Sequence, residues 1–184
     1  MEEMNTSLKE VRLKNGTNLS IRKAAPSDAE RIIAYMNVVG GESDNLSFGA
    51  GELNTTVQQE TDLIENLHKD GRSIMLLGII GDEIACVSAL KCFERKRVRH
   101  NAEFSITVRK KYWGIGVANA VMPELFGYAK ARGDIKNINL GVRVGNDKAI
   151  SIYEKYGFVK IGVQKDFFYF GDTYCDVLLM DLYL

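Results

Sequence analysis

Phe104-Ser-Ile-Thr-Val-Arg-Lys-Lys-Tyr-Trp-Gly-Ile-Gly-Val117 changes character twice. An alternating, β-rich run ends at Val108, the basic triplet Arg109-Lys110-Lys111 follows, and Gly114-Ile115-Gly116 opens a segment rich in helix formers. The stretch predicts strand, glycine turn, helix. At such a junction the first-turn N–H groups have no intrahelical partner and the helix dipole is positive, which favours an anion. Gly114 and Gly116 carry no Cβ and let a ligand approach the backbone. A phosphate or pyrophosphate site is expected, with neighbouring lysines adding charge. A plain tight turn explains a lone Gly-x-Gly as well, so the rest of the chain has to decide. Two common phosphate loops do not fit. Asn119 stands where the third glycine of a dinucleotide fingerprint belongs, and no Gly-Lys-Ser/Thr follows the first glycine.

At 184 residues, 46 % hydrophobic and 26 % charged, the chain is long enough for a substantial core and short for two domains. Residues 19–184 are expected to form one α/β domain behind an N-terminal segment, 1–18. A formal net charge of zero leaves no global field to draw nucleic acid or a membrane, so neither is an expected partner. The N-terminus lacks an apolar leader and no apolar run is long enough to span a bilayer, which predicts a cytoplasmic protein. Cys86, Cys92 and Cys175 fall in expected strands and lack the spacing of a metal site, so reduced thiols and no metal are expected.

Upstream of the glycine turn, Leu19–Arg22 alternates as a strand. Pro26-Ser27-Asp28 starts a helix to about Val39, with Ser27 as cap and Ile32, Ile33 and Met36 on one face. The polar stretch Glu42–Asn54 reads as a loop and a candidate substrate lid, with an ordinary connector as the plainer account. Thr55 or Thr56 caps a second helix, with Val57, Leu63, Ile64 and Leu67 inward and Asp70-Gly71 as its stop. Ser73–Ile80, Glu83–Phe93 and His100–Val108 form an antiparallel series. Downstream, Gly114–Arg132 is a helix that Pro123 should bend near Asn119. Ile135–Val144 is a strand parallel to its predecessor, because the connection runs through that helix. A short helix from Asn146 to Tyr156-Gly157 and a hairpin around Gly171-Asp172 complete the chain.

The segment Asn146-Asp-Lys-Ala-Ile-Ser-Ile-Tyr-Glu-Lys-Tyr-Gly-Phe158 places Asn146, Ala149 and Tyr153 on one helix face. Singly, these read as a cap, a packing residue and a half-buried ring. Taken with Lys111-Tyr112-Trp113-Gly114-Ile115-Gly116, the pattern resembles the GCN5-related N-acetyltransferase (GNAT) family. That family carries Arg/Gln-x-x-Gly-x-Gly/Ala after its fourth strand and Asn-x-x-Ala-x-x-x-Tyr-x-x-x-Gly-Phe before its sixth. The resemblance runs from about Leu19 to the C-terminus. It implies a mixed α/β fold: a mostly antiparallel twisted sheet, one splayed parallel strand pair, and helices on both faces.

The resemblance also implies acetyl-CoA as cofactor. Its pyrophosphate would meet the amides of Tyr112, Trp113, Gly114, Ile115, Gly116 and Val117, beside Lys111, which replaces the usual Arg/Gln. Its pantetheine would pair with Ile106, Thr107 and Val108 and reach Asn146 and Ala149. Tyr153 resembles the general acid of direct acetyl transfer to an amine. Relatives that acetylate ribosomal N-termini carry a glutamate within Leu-Glu-Val-Arg. Here the segment is Leu140-Gly141-Val142-Arg143, so Glu103 on the preceding strand is the expected base, with His100 a weaker candidate. The acceptor is expected to be a small-molecule amine or a peptide amino group, and Glu42, Asp44 and Glu52 are local acids that would suit a polyamine. Gly141 in the base position also fits a non-catalytic acyl-CoA sensor. Exposed edges of such a sheet make a homodimer feasible.

Overall fold

The computed structural model describes residues 7–69 and 71–184. One eight-stranded sheet runs through it, built from β1 (Lys9–Arg12), β2 (Asn18–Lys23), β3 (Ile74–Ile80), β4 (Glu83–Cys92), β5 (Asn101–Val108), β6 (Asn137–Arg143), β7 (Val159–Phe170) and β8 (Thr173–Tyr183). The spatial order is β1-β2-β3-β4-β5-β6-β8-β7, and only β5 and β6 are parallel. The helices are α1 (Ala29–Gly40), α2 (Val57–Lys69), α3 (Val117–Arg132) and α4 (Asp147–Lys155).

The near-continuous apolar run of β3 marks a strand buried on both faces. Ile74 and Leu76 join one core, which also takes Phe104, Leu140, Phe158 and the α3 residues Val121, Met122 and Leu125. Met75 and Leu77 join a second core with Ile32, Tyr35 and Ile64 of α1 and α2. Helices therefore cover both faces, as the resemblance implied. At Gly78 the strands approach so closely that a Cβ would lie 3.1 Å from Cys86 Cβ and 3.2 Å from Leu19 Cδ1.

Several local expectations need correction. Ser27 does not cap α1: a 3-10 turn, Pro26–Asp28, precedes the helix, and Asp28 Oδ2 accepts the Ala25 N–H at 2.8 Å. The same carboxylate forms two 2.7 Å bonds to the buried Arg22 guanidinium, fixing the entry to α1. At α2, Thr56 is the cap, exchanging bonds with Gln59 in both directions. Val57 and Leu63 are not inward but 52 % and 47 % exposed. Leu63 is one residue off the Ile64 stripe, and Val57 overhangs it in the first turn. Of the expected stop, Asp70 lies outside the described residues, and Gly71 has φ +60°. Helix α3 begins at Val117, after the glycines rather than at Gly114. Pro123 sits inside it; the Asn119 carbonyl that Pro123 cannot serve accepts the Tyr156 hydroxyl at 3.1 Å instead.

The feature that positions the site is where β5 and β6 separate. They pair only at Asn101↔Asn137, Ala102↔Ile138 and Glu103↔Asn139. The Arg109 N–H donates to the Ala85 carbonyl, and the Asn101 carbonyl accepts the Phe93 N–H. Odd-numbered peptide groups of β5 thus face β4, and those of Phe104, Ile106 and Val108 face the gap.

Candidate active site

The gap opens into a cleft of about 1820 Å³ lined by both β5 and β6, the start of α3, one face of α4, the 43–48 loop and the β7–β8 hairpin. At one end Gly114 and Gly116 adopt φ of +79° and +106°, which only glycine takes without strain. A Cβ on Gly114 would meet nothing within 4 Å, so the backbone is open to a ligand there. The first intrahelical bond of α3 runs from the Ala120 N–H to the Gly116 carbonyl. The N–H groups of Val117, Ala118 and Asn119 are consequently free of intrahelical partners, and the first turn holds no acidic residue to compete for an anion. The Trp113 indole N–H donates to the Val108 carbonyl at 2.7 Å, pinning the turn to the end of β5.

Most of the residues expected at a cofactor line this cleft: Ile106, Thr107, Val108, Tyr112, Trp113, Gly114, Gly116, Val117, Asn146 and Ala149. Asn146 is the α4 N-cap, its Oδ1 accepting the Ala149 N–H at 3.4 Å. The Thr107 hydroxyl is tied to Tyr35 Oη at 3.0 Å and to the Val87 carbonyl at 3.3 Å, on the face of the sheet that Glu103 shares. Two residues stand elsewhere. Ile115 packs against the α3 core, and Lys111 is ion-paired with Glu83, whose carboxylate also takes the Tyr112 hydroxyl at 2.6 Å.

Tyr153 and Glu103 approach the gap from opposite faces of the sheet. Tyr153 comes from α4 on the α3 side, wedged edge-on to Phe104 (6.1 Å between ring centres) and beside Phe158 (5.8 Å). Burial pushes its phenol up to about 12, and no hydrogen bond to its hydroxyl occurs among the described residues. Glu103 alternates with Ala102 and Phe104 and so stands on the other face, exposed at the last paired rung and lining the cleft. His100, before β5 begins, does not line it. Gly141 is bare on the same face as Glu103, and a Cβ there would come within 3.1 Å of Val177.

Two of the three acids of the 42–54 loop are engaged within the fold. The Glu42 carboxylate accepts from Arg109 Nε at 3.0 Å and from the Lys110 N–H at 2.7 Å, and Glu52 accepts the Gly49 N–H at 2.8 Å. Glu42 therefore anchors the loop to the end of β5, and the loop presents Leu46 and Phe48 to the cleft. Sequence reasoning missed Asn137, Asn139, Arg143 and Asp181 on the cleft floor, and Phe167 and Phe168 at its rim. The alternation of β6, polar at 137, 139 and 143, was the available signal.

A mostly antiparallel sheet, parted at its single parallel pair beside a glycine turn and a helix start with no acidic side chain, is the architecture of an acyl-coenzyme-binding class of fold. A profile of the Acetyltransferase (GNAT) family matches residues 44–158, and the chain belongs to that family. Its structure is similar to the crystal structure of an acetyltransferase of the GNAT family from Streptococcus pneumoniae. The two share 30 % identity over 90 % of this chain and 99 % of that one, with a TM-score of 0.87. Among curated proteins it is similar to the L-amino acid N-acetyltransferase AaaT of Escherichia coli, 34 % identical over 47 % of this chain and 54 % of the relative. It is also similar to the spermidine N(1)-acetyltransferase of Vibrio cholerae, 29 % identical over 51 % and 54 %. The chain thus spans about half the length of these two curated relatives. Among the described residues no helix is long and apolar enough to cross a membrane.

Proposed function

We propose that the protein transfers the acetyl group of acetyl-CoA to a primary amine by direct attack within a ternary complex. The observation that carries this reading is the parting of β5 from β6 after Glu103 and Asn139, with a phenol on one side of the opening and a carboxylate on the other. Acetyl-CoA supplies a thioester carbonyl to be attacked. The α3 first-turn amides and the glycine turn hold its pyrophosphate, and the Ile106 carbonyl and the Val108 N–H pair with the pantetheine as a neighbouring strand would. The residues fit the group: the turn is open, the amides are free, and no acidic side chain stands in the first turn.

An alkyl amine with a pKa of about 10.4 costs about 4–5 kcal/mol to deprotonate at pH 7, so a base matters. Glu103 takes that proton, directly or through one water. The Ile106 N–H, the first on β5 to face the gap beyond the paired rungs, donates to the oxygen on which negative charge develops. Tyr153 donates to the departing thiolate. The new C–N bond forms as the C–S bond breaks; of the two protons lost by the ammonium, one ends on coenzyme A and one in solvent. The test is thiol release and product mass with acetyl-CoA and a panel of amines and N-terminal peptides. Release that tracks one amine class supports transfer. Tight acetyl-CoA binding with no release by any acceptor refutes it in favour of an acyl-CoA sensor.

A further inference from the structure

Three buried side-chain polar atoms among the described residues have no hydrogen-bond partner: Asn137 Oδ1, Asp181 Oδ1 and Arg143 Nε. All three residues line the cleft. They also share one face of the sheet with Glu103, since Glu103 opposes Asn139, Asn139 opposes Asp181, and residues 137, 139, 141 and 143 of β6 alternate to the same side. Unpaired buried polar atoms are costly, and their clustering in one cleft marks a place built for a ligand.

The atoms are sorted by chemistry. Two are acceptors at the closed end, where β5 and β6 are still paired. Asp181 is only 8 % exposed. Its Oδ2 accepts from Asn137 Nδ2 at 3.2 Å and Tyr183 Oη at 3.3 Å, leaving Oδ1 without a donor. Neither Asp181 nor Glu103 is ion-paired with a described lysine or arginine. The third atom is a donor at the open end. The Arg143 guanidinium lies over the Phe170 ring (5.7 Å), and its other nitrogens reach only Asn45 Oδ1 at 3.4 Å and Cys175 Sγ at 3.5 Å. No described carboxylate pairs with it. Gly141, without a side chain, leaves the floor clear between the two ends.

We propose that the acceptor is a small zwitterion, an ω-amino carboxylate. Its primary amine lies at the Glu103–Asn139–Asp181 rung and its carboxylate is held by Arg143. This rests on the acetyl-transfer reading above and names its acceptor. Asn139 and Arg143 are four residues apart on β6, about 13 Å at the strand rise of ~3.3 Å per residue. With side chains standing roughly perpendicular to the sheet, a hydrogen bond of about 2.8 Å at each end leaves roughly 7–8 Å between amine nitrogen and carboxylate oxygen. That is the span of about five to seven bonds of extended chain. An α-amine beside its own carboxylate is too short. A four- to six-carbon ω-amino acid, or the side-chain amine of a basic amino acid, fits. A polyamine would set a second ammonium against Arg143 and is selected against by like charge.

The test uses the full chain with acetyl-CoA, comparing 5-aminopentanoate and lysine with pentylamine, which lacks the carboxylate, and spermidine. Wild type and Arg143→Gln are measured by thiol release, and binding of 5-aminopentanoate to the coenzyme A-saturated protein by calorimetry. The expected kcat/KM for 5-aminopentanoate exceeds that for pentylamine by about tenfold or more, as for a charge-assisted contact. In Arg143→Gln that ratio collapses through KM, with Arg143→Lys restoring part of it. Pentylamine or spermidine performing as well as the zwitterion overturns the proposal and leaves acetyl transfer standing. If no acceptor drives release, acetyl transfer fails and calorimetry decides. Arg143-dependent binding then upholds the zwitterion site, and no binding overturns it.

Discussion

Replacing Tyr153 with phenylalanine separates packing from chemistry, because its ring and its hydroxyl have different surroundings. The ring contacts Phe104 and Phe158 survive the change, and the hydroxyl has no partner among the described residues to lose. The melting temperature should therefore stay within about 3 °C, the equivalent of about 1 kcal/mol for a domain of this size. The chemical effect follows from the raised phenol. At about 12, it lies well above a thiol near 8.5, so complete proton transfer to the thiolate is uphill by roughly 5 kcal/mol. In the proposed mechanism Tyr153 would therefore act mainly by donating a charge-assisted hydrogen bond, worth about 1.5–3 kcal/mol. Tyr153→Phe should then slow single-turnover thiol release by about 10- to 150-fold while the acetyl-CoA Kd measured by calorimetry changes little. A rate within threefold of wild type would remove the donor role. A fall in melting temperature beyond about 6 °C would show that the hydroxyl holds the fold.

Glu103→Gln should lower turnover most near pH 7, with the deficit shrinking toward pH 10 as the amine loses its own proton; an unchanged pH–rate profile removes Glu103 as base. In Gly40→Ala the new Cβ falls 2.6 Å from the Gly49 carbonyl oxygen and 3.1 Å from Phe48. The 42–54 loop must shift, raising KM for the acceptor severalfold at a cost of about 1–3 kcal/mol in stability; steady-state kinetics and urea titration read both. Burial pushes the Asp28 carboxyl up, but the Arg22 hydrogen bonds and the Ala25 N–H outweigh it and hold it below the usual range. Its stabilisation is full above about pH 4 and is lost as pH falls through the lower folded value. Asp28→Asn should cost about 3 kcal/mol at pH 7 and flatten that acid limb, measured by urea unfolding at pH 7 and pH 3.

The strand–glycine–helix junction and the helix Asp147–Lys155 were legible because local chemistry enforces them: positive φ at Gly114, Gly116 and Gly157, a cap at Asn146, and alternation in β5. The helix edges were less so. Nothing in Pro26-Ser27-Asp28 itself shows that Arg22, from another strand, claims the Asp28 carboxylate and turns the helix start into a 3-10 segment. Val57 and Leu63 read as inward by type, and only the neighbouring strand fixes which stripe of α2 is covered. The cofactor half of the site was visible because it rests on backbone geometry that short motifs specify. On the opposite floor of the cleft only Glu103 was. Asn137, Arg143 and Asp181 meet through the insertion of β8 between β6 and β7, a long-range pairing with no local signature.

The three-rung junction of β5 and β6 divides the sheet into two blocks whose shared backbone bonds end at Glu103 and Asn139. Beyond that point the amides of Ile106 and Val108 belong to an internal edge, open to solvent until something pairs with them. An occupant that does so serves as the missing strand as much as a reactant. In hydrogen exchange these two amides should exchange fast in the free protein and slow sharply with coenzyme A, while Thr107 and Arg109, already bonded toward β4, change little. Coenzyme A would then add to global stability in proportion to the logarithm of its concentration, so the level of free cofactor would set how firmly the two halves of the sheet are held together.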